Sequence, residues 1–283
     1  MARPYTDVLS YTLCGDRADG DTPPATPGGR KHQSIGPIFV LAAGMRPDGK
    51  SLALSLRNIY ETLAISLPTV VEAVRGRVTK EVCDERLARW ARAVIRNARI
   101  DLSVVGSENR VPGETYLVMS NHQSLYDIPV LFQVVGPNIR MIAKRELFHV
   151  PIFGGALEAS GFVAIDRRNR NKAIRGLDRA RAVLTGGTHV WIAPEGTRSR
   201  TGKLLPFKKG AFYLAFEAGL PILPVTLSGT RDALPAKGLR SRPGAKVRVT
   251  IHPHVDPRPY AARGKPGRQA LMDDVRRTIE SAL

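Results

Sequence analysis

The stretch MSNHQSLYDIPVL, residues 119–131, joins the end of an apolar run to the beginning of a helical pattern. The apolar run, Thr115–Ser120, has the length and composition of a strand, and the following segment, Ser124–Val135, has those of a helix. The stretch therefore predicts a strand, a tight turn and a helix, which is a common unit of proteins with a sheet flanked by helices.

Two polar residues of this stretch, His122 and Asp127, lie five positions apart. On one regular helix they would lie on different faces and could not meet. If Asn121 and His122 form the turn and Ser124 caps the helix, the imidazole can fold back onto the carboxylate. A His with one nitrogen fixed by Asp and the other open is a general base with an orienting partner. The pair Ser124 and Asp127 also fits a capping box that merely starts a helix, so the spacing alone leaves both interpretations open.

After Arg99 the chain alternates β-rich runs with helical segments, and this predicts an α/β domain with a central sheet. Further strands are expected at Leu102–Val105, Arg140–Ala143, Phe162–Asp166, His189–Ala193, Ile222–Leu227 and Val247–His252. Further helices are expected at Asn171–Leu184, Ala211–Ala218 and Arg268–Leu283. The domain is expected to span residues 101–283.

Residues 38–100 are expected to hold a pair of amphipathic helices, after a flexible lead of residues 1–37 that is rich in Gly and Pro. The first helix, Ser51–Arg75, should bend at Pro68, and the second, Thr79–Arg99, should be capped by Thr79. The second helix carries Trp90 in its apolar stripe and a separate arginine stripe, which is expected to form a basic face and consists of Arg86, Arg89, Arg92, Arg96 and Arg99. Basic amphipathic helices suit a core and a membrane surface equally, so both placements stay open.

The chain of 283 residues has a formal net charge of +18, which favours polyanionic partners such as nucleic acids, anionic lipid surfaces and phosphorylated substrates. No apolar run of about 20 residues is present, so a spanning helix is not expected. The N-terminus has no basic start followed by an apolar core, so no secretory signal is expected. The two cysteines, Cys14 and Cys83, show no metal-ligand spacing, which fits a reducing compartment and no metal centre.

A second polar cluster, EGTR at residues 195–198, follows the strand expected at His189–Ala193. Gly196 allows a tight turn, and Arg198 can place its planar guanidinium on a phosphate. A basic surface loop is the alternative interpretation. Two weaker clusters are GFVAIDR at residues 161–167 and LPILPV at residues 220–225. Taken alone, the first fits a strand that ends in a surface ion pair, and the second fits a buried strand with a purely structural role.

Taken together and in order, four motifs resemble those of the glycerolipid acyltransferases. They are Asn121-His122-x4-Asp127, Gly161-x4-Asp166-Arg167, Glu195-Gly196-Thr197-Arg198-Ser199 and Pro221-Ile222-Leu223-Pro224-Val225. The resemblance implies an α/β fold whose central mixed sheet is flanked by helices. It also implies transfer of a fatty acyl group from acyl-CoA or acyl carrier protein to the hydroxyl of a lysophospholipid, 1-acyl-sn-glycerol 3-phosphate, with no cofactor and no metal.

The same resemblance implies roles for individual residues. His122 would take the hydroxyl proton, and Asp127 would hold the imidazole. Arg198 would bind the acceptor phosphate, and Lys144 would face the developing oxyanion. The full set of implied substrate-binding residues is Arg198, Glu195, Gly196, Thr197, Arg167 and Lys144.

The resemblance places the protein at the cytoplasmic face of a membrane, attached without spanning it, with an anionic bilayer surface as partner. Another lysolipid, such as a lyso-ornithine lipid, is an alternative acceptor. A non-catalytic lipid-binding or nucleic-acid-binding protein is a different class that the charge permits. Against nucleic acid, the sequence has no helix-turn-helix pattern, zinc spacing or RNA-binding strand, and no nucleic-acid partner is expected.

Overall fold

The computed structural model describes residues 49–166 and 170–283, without the side chains of residues 170 and 171. The lead expected at residues 1–37 lies outside this part of the chain. The helices are α1 Leu52–Val74, α2 Lys80–Asn97, α3 Asp127–Val135, α4 Phe153–Ala159, α5 Arg170–Thr185, α6 Lys209–Ala218, α7 Thr230–Ala233, α8 Arg258–Ala261 and α9 Gly264–Glu280. The strands are β1 Asp101–Val105, β2 Leu117–Ser120, β3 Ile139–Lys144, β4 Val163–Ile165, β5 His189–Ile192, β6 Ile222–Ser228 and β7 Lys246–Ile251.

The strands form one sheet of seven strands in the order β1-β7-β6-β2-β5-β3-β4. All neighbouring pairs are parallel except β6 and β7, which are antiparallel. The expectation of a mixed sheet flanked by helices is confirmed. Strand β2 lies beside β5, with Leu117 opposite Val190, so the turns that follow these two strands emerge next to each other. This pairing brings the two polar clusters of the sequence to one edge of the sheet.

Both faces of the sheet are covered by helices, as a largely parallel sheet requires. Along β2, Val118 packs in a buried cluster with residues of α2 and α3. Its neighbours Leu117 and Met119 point the other way and pack with residues of α5, α6 and α9. Because side chains alternate along a strand, β2 contacts helices on both faces of the sheet. Helix α3, which follows the His122 turn, packs on one face, and α6, which follows the 195–208 loop, packs on the other.

Helix α1 begins at Leu52, after the Ser51 side chain accepts a hydrogen bond from the Leu54 amide, and it contains Pro68. Its polar residues face the protein. Asn58 donates to the Tyr126 hydroxyl at 2.8 Å, and Thr62 accepts from the Trp90 indole nitrogen at 3.0 Å. The apolar stripe faces outward instead, with exposed side chains at Leu52, Leu56, Ile59, Leu63, Leu67 and Val74.

Helix α2 is oriented the other way, with its apolar side in the core, and Thr79 caps it as expected. Trp90 packs edge-on against Phe132, with ring centroids 6.0 Å apart, so it lies inside the fold and not at an outer boundary. Arg86 is 14% exposed and forms an ion pair with Glu72 at 2.7 Å. The expectation that Arg86 belongs to an exposed basic face is therefore wrong, because this internal pair holds its guanidinium.

One further expectation needs correction. Helix α3 begins at Asp127 and not at Ser124, because residues 121–124 form an irregular turn held by the Asp127 carboxylate. In addition, the short helices α4, α7 and α8 overlap none of the expected helices. In the described ranges no helix combines the length and apolar composition that crossing a bilayer would need.

Candidate active site

The turn after β2 brings His122 and Asp127 into contact. The His122 Nδ1 atom lies 2.7 Å from the Asp127 Oδ2 atom. The folded-back geometry, in which the imidazole sits over the first turn of α3, is therefore present. The His122 side chain is 16% exposed and that of Asp127 is fully buried. The arrangement is a buried carboxylate beneath an imidazole that is open at one side.

The Asp127 carboxylate is held by the turn that precedes it. Its Oδ2 atom accepts hydrogen bonds from the backbone amides of Gln123 at 2.7 Å and Ser124 at 2.9 Å, as well as from His122. The Ser124 amide contact is one half of a capping box, but the Ser124 hydroxyl accepts from the Tyr126 amide and not from the Asp127 amide, so Ser124 does not cap α3 as expected. A carboxylate that accepts from Nδ1–H fixes the tautomer in which Nε2 carries a lone pair. Within the described ranges no side chain or backbone group bonds that Nε2 atom.

The ring of Trp191, on β5, packs against the His122 ring in a T-shaped contact with centroids 5.2 Å apart. Its indole nitrogen donates to the Ser120 hydroxyl at 2.9 Å, and that hydroxyl donates to the Asn121 carbonyl at 2.8 Å. Asn121 in turn pairs its side-chain amide with both backbone groups of Leu227 on β6, at 2.8 Å each. These contacts restrict the turn from both neighbouring strands.

Glu195 joins the His122 turn to the loop that follows β5. It is 2% exposed, and its two carboxylate oxygens accept from the backbone amides of His122 at 2.7 Å and Leu205 at 2.8 Å. Burial raises the pKa of Glu195, and the two amide hydrogen bonds oppose that shift. Both oxygens are thus occupied by the protein, and the residue shapes the loop.

Arg198 lies next to His122 because the amide of Ser199 donates to the His122 carbonyl at 2.7 Å. Arg198 is half-buried, and its guanidinium makes no hydrogen bond or ion pair with any described residue. Gly196 has a positive φ of 69°, a backbone conformation that favours Gly because other side chains rarely adopt it. Thr197 is exposed at the rim.

The remaining site residues expected from the sequence lie apart from this cluster or outside the described ranges. Lys144 ends β3, where its exposed ammonium forms an ion pair with Glu146 at 3.2 Å. Asp166 follows β4 and accepts from Arg145 at 3.2 Å. Arg167 lies outside the residues that the structure describes.

Sequence reasoning missed two contributors to the His122 turn. Trp191 lies on β5, the strand next to β2. An aromatic residue four positions before Glu195 was the sequence signal that could have indicated it. Asn121 was expected in the turn and in the first motif, but its side-chain pairing with the Leu227 backbone was not expected. Both contacts depend on the order of strands, which sequence periodicity does not report.

The profile of the family described as Acyltransferase matches residues 101–228. The mouse protein "1-acyl-sn-glycerol-3-phosphate acyltransferase alpha" is 34% identical over 208 residues, which cover 73% of this chain and 71% of the relative. The human protein of the same name is 35% identical over 73% of this chain and 71% of its own length. The 1-acyl-sn-glycerol-3-phosphate acyltransferase of Saccharomyces cerevisiae is 34% identical over 69% of this chain and 67% of its own length.

A solved structure is also similar. The crystal structure of the 1-acyl-sn-glycerophosphate (LPA) acyltransferase PlsC from Thermotoga maritima superposes with a TM-score of 0.63 and 28% sequence identity. The match covers 81% of this chain and 95% of that one. The likeness therefore extends beyond the motifs to most of both chains.

Proposed function

The chain belongs to the acyltransferase family, beside the 1-acyl-sn-glycerol-3-phosphate acyltransferases, and on that premise we propose that it acylates 1-acyl-sn-glycerol 3-phosphate to give phosphatidic acid. The observation that carries this function is the His122–Asp127 contact of 2.7 Å, next to an arginine that no described residue engages. The acyl donor in this proposal is a thioester, acyl-CoA or acyl carrier protein, and the reaction needs no metal or prosthetic group.

In the proposed mechanism His122 acts as general base. Its Nε2 atom takes the proton of the acceptor hydroxyl while that oxygen attacks the thioester carbonyl carbon. The tetrahedral intermediate then collapses, the carbon–sulfur bond breaks, and the leaving thiolate takes the proton from His122. The acyl group ends on the acceptor oxygen, and His122 returns to its neutral form.

The buried environment of Asp127 supports this cycle. The negative charge beneath the ring stabilises the imidazolium that exists between the two proton transfers. Because the Asp127 Oδ2 atom also accepts two backbone amides, the carboxylate keeps its position when the ring changes charge. Asp127 is thus proposed to orient the base and to balance its charge.

Arg198 is proposed to bind the acceptor phosphate. A guanidinium can donate two parallel hydrogen bonds to phosphate oxygens, and the Ser199–His122 hydrogen bond keeps this residue beside the base. Glu195, Gly196 and Thr197 would shape the loop, and Arg167 would add a second positive charge. Lys144 is proposed for the oxyanion, which requires it to exchange its contact with Glu146.

The function is tested by offering the purified protein a panel of lysolipids with acyl-CoA and with acyl carrier protein, and identifying products by mass spectrometry. Phosphatidic acid formed from 1-acyl-sn-glycerol 3-phosphate is the expected result, and His122→Ala is the matched control that should form none. Acylation of a lyso-ornithine lipid alone would assign the alternative acceptor. Absence of thioester consumption with every lysolipid would instead favour a non-catalytic lipid-binding protein.

We also propose that α1 attaches the protein to the cytoplasmic face of a membrane, since both the lysolipid and the product reside in a bilayer. An exposed row of large apolar side chains is costly in water and favourable in the acyl region of a membrane. Arg89, Arg92 and Arg96 are exposed on the neighbouring helix α2 and can meet anionic headgroups. Arg86 is not part of this basic face, because it forms an ion pair with Glu72.

Attachment is tested by flotation of the full-length protein with vesicles that contain phosphatidylglycerol. The variant Leu56→Ser/Leu63→Ser should lose binding at all salt concentrations, because it removes apolar area from the outward face. The variant Arg89→Gln/Arg92→Gln/Arg96→Gln should lose binding chiefly at low salt, where charge attraction is least screened. Flotation of the serine variant at the wild-type level would refute the role of α1.

A further inference from the structure

An open cleft of about 170 Å³ lies at the N-terminal end of α1, lined by Lys50, Arg231, Asp232, Pro235 and Arg242. Three of these side chains are cationic and one is a carboxylate, so the lining carries a net positive charge. Arg231 and Arg242 are exposed, and no described residue forms an ion pair with either of them. The segment 231–248 that supplies most of the lining contains six Lys or Arg residues and a single acidic residue. This excess of positive charge favours the binding of an anion in the cleft.

The cleft is connected to the turn that carries His122. A methyl group placed on Gly202 would lie 3.9 Å from the Arg231 Nη1 atom, so this guanidinium lies beside the Gly202 backbone. The Gly202 carbonyl accepts from the Gln123 side chain at 3.3 Å, and Gln123 is the residue after His122. A second connection runs from the Ser124 hydroxyl to the Leu234 carbonyl at 2.7 Å. The two arginines are thus fixed to the same scaffold as the proposed base.

Backbone hydrogen bonds connect the segments that supply the lining residues. The Arg242 amide donates to the Ala233 carbonyl at 2.8 Å, and the Ser51 amide donates to the Ser241 carbonyl at 2.8 Å. The start of α1 and the segment after α7 are therefore tied together at the cleft. An anion bound there would meet guanidinium groups whose Cα positions are set in advance, which reduces the ordering cost of binding.

We propose that this cleft binds the phosphate groups of the coenzyme A half of the acyl donor, an inference that rests on the proposed function. Two substrates that both carry phosphate must meet at His122, and Arg198 is assigned to only one of them. The donor's thioester is at the end of a long pantetheine arm, so its phosphates must bind at a distance from the reacting carbon. Two arginines provide the paired donors that phosphate oxygens accept, and they lie outside the proposed acceptor site.

The test measures binding of free coenzyme A to the full-length protein by isothermal titration calorimetry, which needs neither the acceptor nor turnover. Arg231→Gln/Arg242→Gln should weaken coenzyme A binding by about tenfold to a hundredfold, as expected for lost charge-assisted hydrogen bonds, and should leave the weak binding of phosphate-free pantetheine unchanged. The matched control is Arg175→Gln/Arg179→Gln on α5, which removes the same charge from two exposed arginines outside the cleft. It should bind coenzyme A within about twofold of wild type.

Several outcomes would overturn the proposal. They are no binding of coenzyme A by the wild-type protein, binding by the cleft variant within about twofold of wild type, or an equal loss in the α5 control. Steady-state kinetics give an independent check, because the cleft variant should raise KM for acyl-CoA and not KM for the acceptor. If the variant instead lost only flotation with phosphatidylglycerol vesicles, the cleft would hold lipid headgroups and the proposal would be wrong.

Failure of the proposed function is distinguishable from failure of this inference. If no lysolipid were acylated but coenzyme A binding still depended on Arg231 and Arg242, the acyl-transfer function would fail and the cleft assignment would stand. If phosphatidic acid were formed but coenzyme A binding did not depend on either arginine, the acyl-transfer function would stand and the cleft assignment would fail.

Discussion

Replacing Glu195 by Gln tests whether this residue supports the His122 turn or contacts substrate. The two carboxylate oxygens accept the amides of His122 and Leu205, and a glutamine can accept only one of these. The other amide would face the new NH₂ group, a loss of about 1.5–3 kcal/mol for a hydrogen bond to a charged group. Because burial raises the pKa of Glu195, the neutral side chain recovers part of that loss by avoiding the cost of burying a charge. We expect the free energy of unfolding to fall by about 2 kcal/mol.

Activity should fall together with stability. A shift of the His122 backbone by a fraction of an ångström misaligns the base, so kcat should drop by about tenfold to a hundredfold while KM for the acceptor changes little. Urea unfolding followed by circular dichroism gives the stability, and product formation by mass spectrometry gives the kinetics. The control is Glu217→Gln, which removes an exposed ion pair with Arg181 and should change stability by less than about 0.5 kcal/mol. Unchanged stability of Glu195→Gln with a raised KM alone would mean that Glu195 contacts the substrate.

Three further perturbations have expected outcomes. His122→Ala should lower kcat by about 10²-fold to 10⁴-fold and leave the circular dichroism spectrum unchanged, and turnover within about threefold of wild type would rule out a general-base role. Arg198→Lys should recover only part of the activity lost in Arg198→Ala, chiefly through KM for the acceptor, because an ammonium cannot form the paired hydrogen bonds; equal kinetics for Lys and Arg would refute the phosphate contact. Burial lowers the pKa of His189 from 6.5 to about 4. Between these two pH values the unfolded chain binds a proton at His189 and the folded protein does not, so up to about 3 kcal/mol of stability is lost as the pH falls. His189→Asn keeps an acceptor for the Tyr116 amide and removes the titration, so its urea midpoint should fall less than that of wild type between pH 7 and pH 4.5; parallel declines would refute the assignment.

The strands were the most predictable part of the fold. Each observed strand overlaps one expected from the sequence, with ends that differ by at most two residues, because the apolar runs are short, β-rich and separated by clear turn signals. Helix α4 was missed because its sequence, FGGALEA, contains two glycines, which lower helix propensity. Its position is set instead by packing: a methyl group at Gly154 would lie 2.2 Å from the Phe148 carbonyl oxygen, so this close approach needs Gly.

The sequence predicted the polar motifs of the site but not their neighbours in space. The contact of His122 with Asp127 is local, and turn geometry was enough to propose it. The contacts of His122 with Glu195 and Trp191 depend on β2 lying beside β5, a pairing that joins residues about 70 positions apart in the chain. The direction of α1 was not predictable either, since periodicity reports that two faces differ and not which of them faces inward.

The reversed polarity of α1 makes one corner of the molecule resemble a membrane-protein bundle, with hydrogen bonds inside and hydrocarbon outside. In water, solvent molecules compete with the protein partners of Asn58 and Thr62, while the buried Leu54 and the Glu72–Arg86 ion pair also hold the helix. Against acyl chains no such competitor exists, and the same hydrogen bonds gain strength from the low dielectric constant. Helix α1 would therefore be attached more firmly to the rest of the protein when its outer face contacts a bilayer than when it contacts water.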